Sequence, residues 1–350
     1  MGKSPSMRHL PAILLLCSAS HAFANDSTAE LATSGLILSR TDVIAMEREE
    51  LSISADRIDV SYVFRNGSDA DIETVVAFPM PDIERGADSD LALPNGTSDN
   101  FLDFQVSVGG KPVSPTLEQR AFAVGIDVTA ELQGRNIPLN PFADAVPAAL
   151  AALPQDVADQ WLSRGMLVID EYDDGSGWKR VRSPSWRLKS TYWWRSVFPA
   201  NSTVGVDHRY KPSLGMSAGL NFLTDGALAG ETYAAYKRRY CFDKSFESAV
   251  LKAAKSDPDG YPHYSENRIS YILTTGGNWA TGLIGDFKLT VDKGSPKNLV
   301  SFCGKDVVKT GATTFEMTAS DFYPDRDLDI LVLVPYGNDA GSDGAEPSNQ

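Results

Sequence analysis

The chain has 350 residues, with 46 acidic side chains against 32 basic ones and a formal net charge of −14 at pH 7. So acidic a surface repels phosphate backbones and argues against nucleic-acid binding. The length exceeds what one small core organises, so two domains or one elaborated domain is expected.

Residues 1–24 have the form of a cleaved signal peptide. Lys3 and Arg8 make a positive start, Leu10 to Cys17 an apolar run, and Ala22-Phe23-Ala24 an A-x-A cleavage site. The apolar run is too short to span a bilayer. Leu16 stands before Cys17 where lipoprotein processing wants a small residue, which argues against lipidation. Cleavage would leave a mature chain beginning at Asn25, periplasmic or extracellular, with a net charge near −16 once Lys3 and Arg8 are gone. No later stretch is apolar for long enough to be a membrane span. Of the three cysteines only Cys241 and Cys303 remain, and an even pair in an oxidising compartment predicts one disulfide. Its loop closure would stabilise the fold by about 4 kcal/mol.

Residues 25–115 read as an N-terminal β region. Strands are predicted at Leu36 to Leu38 and Val43 to Ile53, with Glu47, Glu49 and Glu50 marking an exposed part of the second. The organising stretch is Arg57 to Pro81. Ile58, Val60, Tyr62 and Phe64 alternate with Asp59, Ser61, Val63 and Arg65, the pattern of a strand with one buried face. Asn66-Gly67-Ser68-Asp69 supplies turn chemistry, and Thr74 to Phe78 is expected to run back as the second strand of a hairpin until Pro79 and Pro81 stop it. Asp82 to Asn100 is an acidic loop, and Phe101 to Val108 a further strand.

Residues 116–165 read as a helical insertion. Thr116 and Gln119 resemble a capping box, with Leu117, Ala121 and Val124 at helical spacing. Phe142 to Leu153 and Asp156 to Arg164 continue the pattern. Residues 166–335 form a C-terminal β-rich region with one helix capped near Asp243 or Ser245, and residues 336–350 an acidic tail of disordered composition.

The chain resembles a family of bacterial exported proteins known as domain of unknown function 4424. The residues that carry the likeness are Asn25-Asp26-Ser27, Phe78-Pro79-Met80-Pro81, Phe198-Pro199 and Val206-Asp207-His208-Arg209-Tyr210-Lys211-Pro212, with Gly277-Asn278-Trp279 and the pair Cys241 and Cys303. The resemblance implies export to the periplasm or cell surface and brings no activity with it.

Histidine filters the possible chemistries. His9 and His21 belong to the leader, leaving His208 and His263, too few for a three-histidine zinc site. His208 sits on the apolar parity of its strand and is expected to be a core residue bonded to backbone, with a general base as the alternative. There is no P-loop or dinucleotide fingerprint, and no cofactor is implied. Asp170, Asp173 and Asp174, and a second run from Asp325 to Asp329, offer oxygens to calcium, but solvated loops explain both. The strand Trp186 to Phe198 is the most informative pattern. Its second parity carries Arg187, Lys189, Trp193 and Arg195, a basic-aromatic stripe able to stack on and pair with an anionic or glycan-like ligand. Alternatively, Trp193 packs under the helical insertion while the cations neutralise nearby acids.

The sequence therefore predicts a mainly β (α+β) protein of antiparallel, sandwich-like regions with a helical insertion. The function it favours is non-catalytic binding of an envelope protein or polymer; the alternative is an envelope glycan hydrolase whose carboxylates are unassigned.

Overall fold

The computed structural model describes residues 25–32, 35–85, 90–95, 98–256 and 262–336. The leader and all but Tyr336 of the expected tail lie outside them.

Among the described residues the largest sheet has eight strands. In spatial order they are β19 (Val308–Lys309), β20 (Thr314–Phe322), β17 (Ile284–Asp292), β3 (Ile44–Ile53), β4 (Ile58–Asn66), β14 (Thr203–Tyr210), β7 (Gln105–Val108) and β8 (Lys111–Val113). A six-stranded sheet runs β10 (Ile126–Asp127), β9 (Thr116–Ala123), β13 (Arg187–Phe198), β5 (Ile72–Pro79), β1 (Ser27–Ala32) and β2 (Gly35–Ser39). A five-stranded sheet runs β18 (Leu299–Phe302), β21 (Leu328–Pro335), β16 (Tyr264–Tyr271), β15 (Leu214–Ser217) and β6 (Asp90–Ala92). Strands β11 (Leu167–Asp173) and β12 (Trp178–Pro184) form a separate ribbon. The pairings are antiparallel except β3 with β17. The mainly β, sandwich-like fold is as expected.

Strand β4 buries Ile58, Val60, Tyr62 and Phe64, as its alternation predicts. The hairpin, however, does not form. Strand β4 pairs with β3 and β14, and β5 with β1 and β13, so Gly67 to Asp71 carry the chain from one sheet to another. Period-two burial specifies which face is covered, not which strand lies alongside, and an arch satisfies it as well as a hairpin. Asn66 holds the arch, donating through Nδ2 to the carbonyls of Ala70 and Phe198 at 2.8 Å each. Pro199 to Ser202 make a second crossing, from β13 to β14. The two crossings are laced together, Ser202 accepting from the Asn66 amide and Ser68 from that of Asn201, both at 3.0 Å.

Side chains of the three large sheets meet in one core that includes Phe64, Phe78, Trp194, Tyr271, Phe287 and Ile330. Thr116 to Ala123 is strand β9 rather than the expected first turns of a helix. Its place beside β13 outweighs a local capping signal, because sheet pairing and burial override weak propensity. The helices begin later, at α1 (Thr129–Gln133), α2 (Ala145–Ala151) and α3 (Gln155–Ser163), and pack with Trp161 and Trp186 in a satellite core. Helices α4 (Gly230–Tyr240) and α5 (Lys244–Ser256) bury Phe242, Phe246 and Val250 against Leu331 and Leu333. Asp243 caps α5 by accepting from the Phe246 amide at 2.7 Å. The predicted disulfide joins Cys241, just past α4, to Cys303, just past β18.

The register of β3 shifts between Met46 and Arg48. This bulge changes which parity faces inward, so Ile44 and Met46 are followed by Glu49, Leu51 and Ile53. Glu49, expected to be exposed, is fully buried. Gly285 makes room for the bulge: a Cβ there would lie 2.6 Å from the Glu47 carbonyl oxygen. Gly285→Ala should therefore destabilise the protein by about 1–3 kcal/mol. In a denaturant titration Gly205→Ala, whose Cβ would meet nothing closer than 3.9 Å, is the near-neutral control.

Candidate functional site

Strand β13 brings Arg187, Lys189, Trp193 and Arg195 onto the outer face of the six-stranded sheet, with its alternate residues buried. Each cation meets an acid. Arg187 lies 3.4 Å from both Asp82 and Glu84, Lys189 lies 3.7 Å from Asp82, and Arg195 lies 3.8 Å from Glu73. Trp193 is half-buried and packs beside Ala29, Val75 and Ala77, with Leu36 and Leu38 of β2. Neighbouring strands, not the helical insertion, support its ring.

Asp170 and Asp173 lie on β11 and Asp174 in the turn that follows. Asp173 accepts from the amides of Gly175 and Gly177, and Asp174 from the Ser176 amide and hydroxyl, so both close the turn. In the second acidic run, Asp327 accepts from the Leu273 and Thr274 amides and Asp329 from Arg239 and Ser270. Among the described residues no group of three or more His, Cys, Asp or Glu side chains is arranged to hold a metal ion.

A different cluster lies in the core, where four of the sequence segments singled out above converge. Asn25, Asp26 and Ser27 are fully buried. The Trp279 indole donates to the Asp26 carbonyl at 2.6 Å, and Asn278 donates to the Ser27 hydroxyl at 2.9 Å. Asn25 donates through Nδ2 to Glu49 at 3.0 Å and accepts from the Tyr62 hydroxyl at 2.5 Å. The hydroxyls of Tyr62 and Tyr271 lie 2.9 Å apart, and Tyr271 also reaches Glu49 at 3.2 Å. His208 stands inside a collar of Tyr62, Phe78, Phe104 and Trp194, with ring centroids 4.6 to 5.5 Å from its own. Its Nε2 is 3.5 Å from Asp26 Oδ1 without making a hydrogen bond.

Burial dominates the electrostatics here. It pushes the Glu49 carboxyl up to about 8 and the Asp26 carboxyl well above the usual range, with Glu49 adding to the rise. It pushes the His208 imidazole down to about 3. A carboxyl beside an imidazole is half of a hydrolytic dyad, but no hydroxyl or thiol bonds to His208, and the collar seals it from solvent. The backbone bond expected of His208 is likewise not made. The sequence named His208 but missed Asp26 beside it and Glu49 in the same cluster. The Asn-Asp-Ser run after the leader was the available signal for the first; a bulge hid the second.

An open trough of about 1010 Å³ occupies the outer face of the eight-stranded sheet. Its floor carries Glu50, Ser61, Ser107, Asp207, Arg209 and Lys288, contributed by five adjacent strands. Asp59 is bridged by Arg57 at 2.6 Å and Arg209 at 2.7 Å. Asp207 accepts from the hydroxyls of Ser61 at 2.7 Å and Ser107 at 3.3 Å. A smaller hollow of about 340 Å³ continues past Lys288 toward Ser320.

The fold and these surfaces define a multi-sheet β protein with a sealed polar core and an open polar face. The chain belongs to the family described as Domain of unknown function (DUF4424), whose profile matches residues 24–331. No curated protein matches it. Among solved structures, it is similar to a protein from Legionella pneumophila provisionally labelled nutrient-binding. The two share 15% identity at a TM-score of 0.43, over 89% of this chain and 70% of the other. A mutant two-domain M1 zinc metallopeptidase bound to L-tryptophan is similar at 6% identity and a TM-score of 0.22, over 84% of this chain and 44% of that one. Likenesses this distant fix no function.

The buried imidazole has a consequence in solution. Because its folded value lies below the ordinary one, the unfolded chain takes up a proton that the folded protein refuses. The stability attributable to His208 should therefore be complete above about pH 6.5 and fall towards pH 3, by about 1.4 kcal/mol per pH unit. Comparing unfolding free energies of wild type and His208→Gln across that range isolates this slope from those of Asp26 and Glu49.

Proposed function

We propose that the protein is an exported, non-catalytic binding protein of the cell envelope, and that its ligand lies in the trough on the eight-stranded sheet. The observation that carries this reading is the trough itself, where hydroxyl, carboxylate and guanidinium groups from five strands share one open surface. Rigid strands hold such groups in fixed spacing, which suits a hydroxyl-rich, glycan-like segment able to accept and donate along its length. The ion pair of Asp59 with Arg57 and Arg209 sets the orientation of two guanidinium groups at one side.

Export is supported by the leader pattern of residues 1–24 and by the Cys241–Cys303 disulfide, a bond of oxidising compartments. No helix among the described residues is long and apolar enough to cross a membrane. The stripe of Arg187, Lys189, Trp193 and Arg195 is the weaker candidate surface, since its cations are engaged by acids and its tryptophan by neighbouring strands.

Calorimetric titration of the mature chain with oligosaccharide fragments of envelope polymers tests the proposal. Arg209→Ala combined with Asp207→Ala should weaken binding by about 10- to 100-fold, while Trp193→Ala leaves it unchanged. The reverse pattern would move the site to the stripe. Steady release of cleaved sugar in the same experiment would favour the glycan hydrolase.

A further inference from the structure

The core cluster contains two carboxyl groups and, among the described residues, no lysine or arginine that reaches either. Asp26 makes no hydrogen bond through either carboxylate oxygen, and Glu49 meets only the neutral Asn25 amide and Tyr271 hydroxyl. Both side chains are fully buried. The backbone nitrogen of Asn25 lies in this cluster, donating to the buried Thr275 hydroxyl, which in turn donates to the Asn25 carbonyl at 2.6 Å. Gly276 closes over the residue so tightly that a Cβ would fall 2.8 Å from Asn25 Nδ2. Uncompensated carboxylates at such depth are expensive, and a nearby cation is the usual remedy.

We propose that the α-ammonium group created at Asn25 when the leader is removed is the missing cation, an internal ion-pair partner for Asp26 and Glu49. Leader removal would then complete the core as well as release the chain. The inference rests on the export reading, because the Ala24–Asn25 bond must be the one hydrolysed. In that step an export endopeptidase adds one water: the hydroxyl goes to the Ala24 carbonyl, and the Asn25 nitrogen gains a hydrogen and then a proton. The family match begins at residue 24, beside the same bond. An amide at this position has one hydrogen and no charge, whereas an ammonium has three donors and a full positive charge. Only the ammonium can satisfy Thr275 and a carboxylate together.

The test begins with the intact mass and N-terminal sequence of the protein recovered from an exporting host. A chain starting elsewhere than Asn25 overturns both the cleavage site and this proposal. With Asn25 first, native-state labelling by an amine-reactive ester separates them. The α-amine should stay unlabelled while surface lysines react; labelling at the lysine rate overturns the ion pair and leaves export intact. A chain carrying one extra alanine before Asn25 should melt roughly 5–10 °C lower than the mature chain. In a Glu49→Gln, Asp26→Asn background the same extension should cost little. An equal fall in both backgrounds would mean that the extension acts by bulk alone.

Discussion

The buried carboxyl of Glu49 is the constraint from which much of this structure follows. A strand that simply alternated would place that side chain in solvent, and the bulge at Glu47 turns it inward instead. Gly285 on the neighbouring strand permits the bulge. Once inside, Glu49 needs donors, and Asn25 from early in the chain and Tyr271 from far along it supply them. A single inserted residue in β3 thus ties the first described segment to the five-stranded sheet.

The two laced crossings divide the molecule into an inside and an outside with different chemistry. Strands β4 and β14 lie in the large sheet, and the strands they connect to, β5 and β13, lie in the six-stranded one. Each connection therefore closes the layers over the aromatic collar of His208 rather than extending a single sheet. The inner faces are largely apolar and aromatic, and the polar groups gathered there are strongly perturbed. The outer face of the large sheet carries the complementary set of hydroxyl and charged side chains. On our reading, the sealed interior serves maturation and stability, while recognition is left to the open trough.

Much of the architecture is legible in the sequence. Alternation gives the buried face of β4 and β13, composition gives the β class, and cysteine counting gives the disulfide, because each depends on local pattern or on number alone. The arch after β4 reads as a hairpin in the sequence because a turn signal reports that the chain changes direction, without saying in which sheet it resumes. Thr116 to Ala123 was misread as helix because a four-residue capping pattern is weaker than an unfilled place beside β13. The stripe on β13 was visible as a set of residues, but the acids facing it, Asp82, Glu84 and Glu73, come from other segments.

By itself, then, the sequence determined the family, the mainly β class, the buried faces of β4 and β13 and the pairing of Cys241 with Cys303. Only the tertiary structure decided that Asn25, Asp26, Glu49, His208 and Tyr271 meet, and that Glu50, Asp59, Asp207 and Arg209 share an open face. The reason is physical. Periodicity records whether a side chain seeks water, whereas partners are chosen by sheet order and bulges, which arise from contacts between residues far apart in the chain.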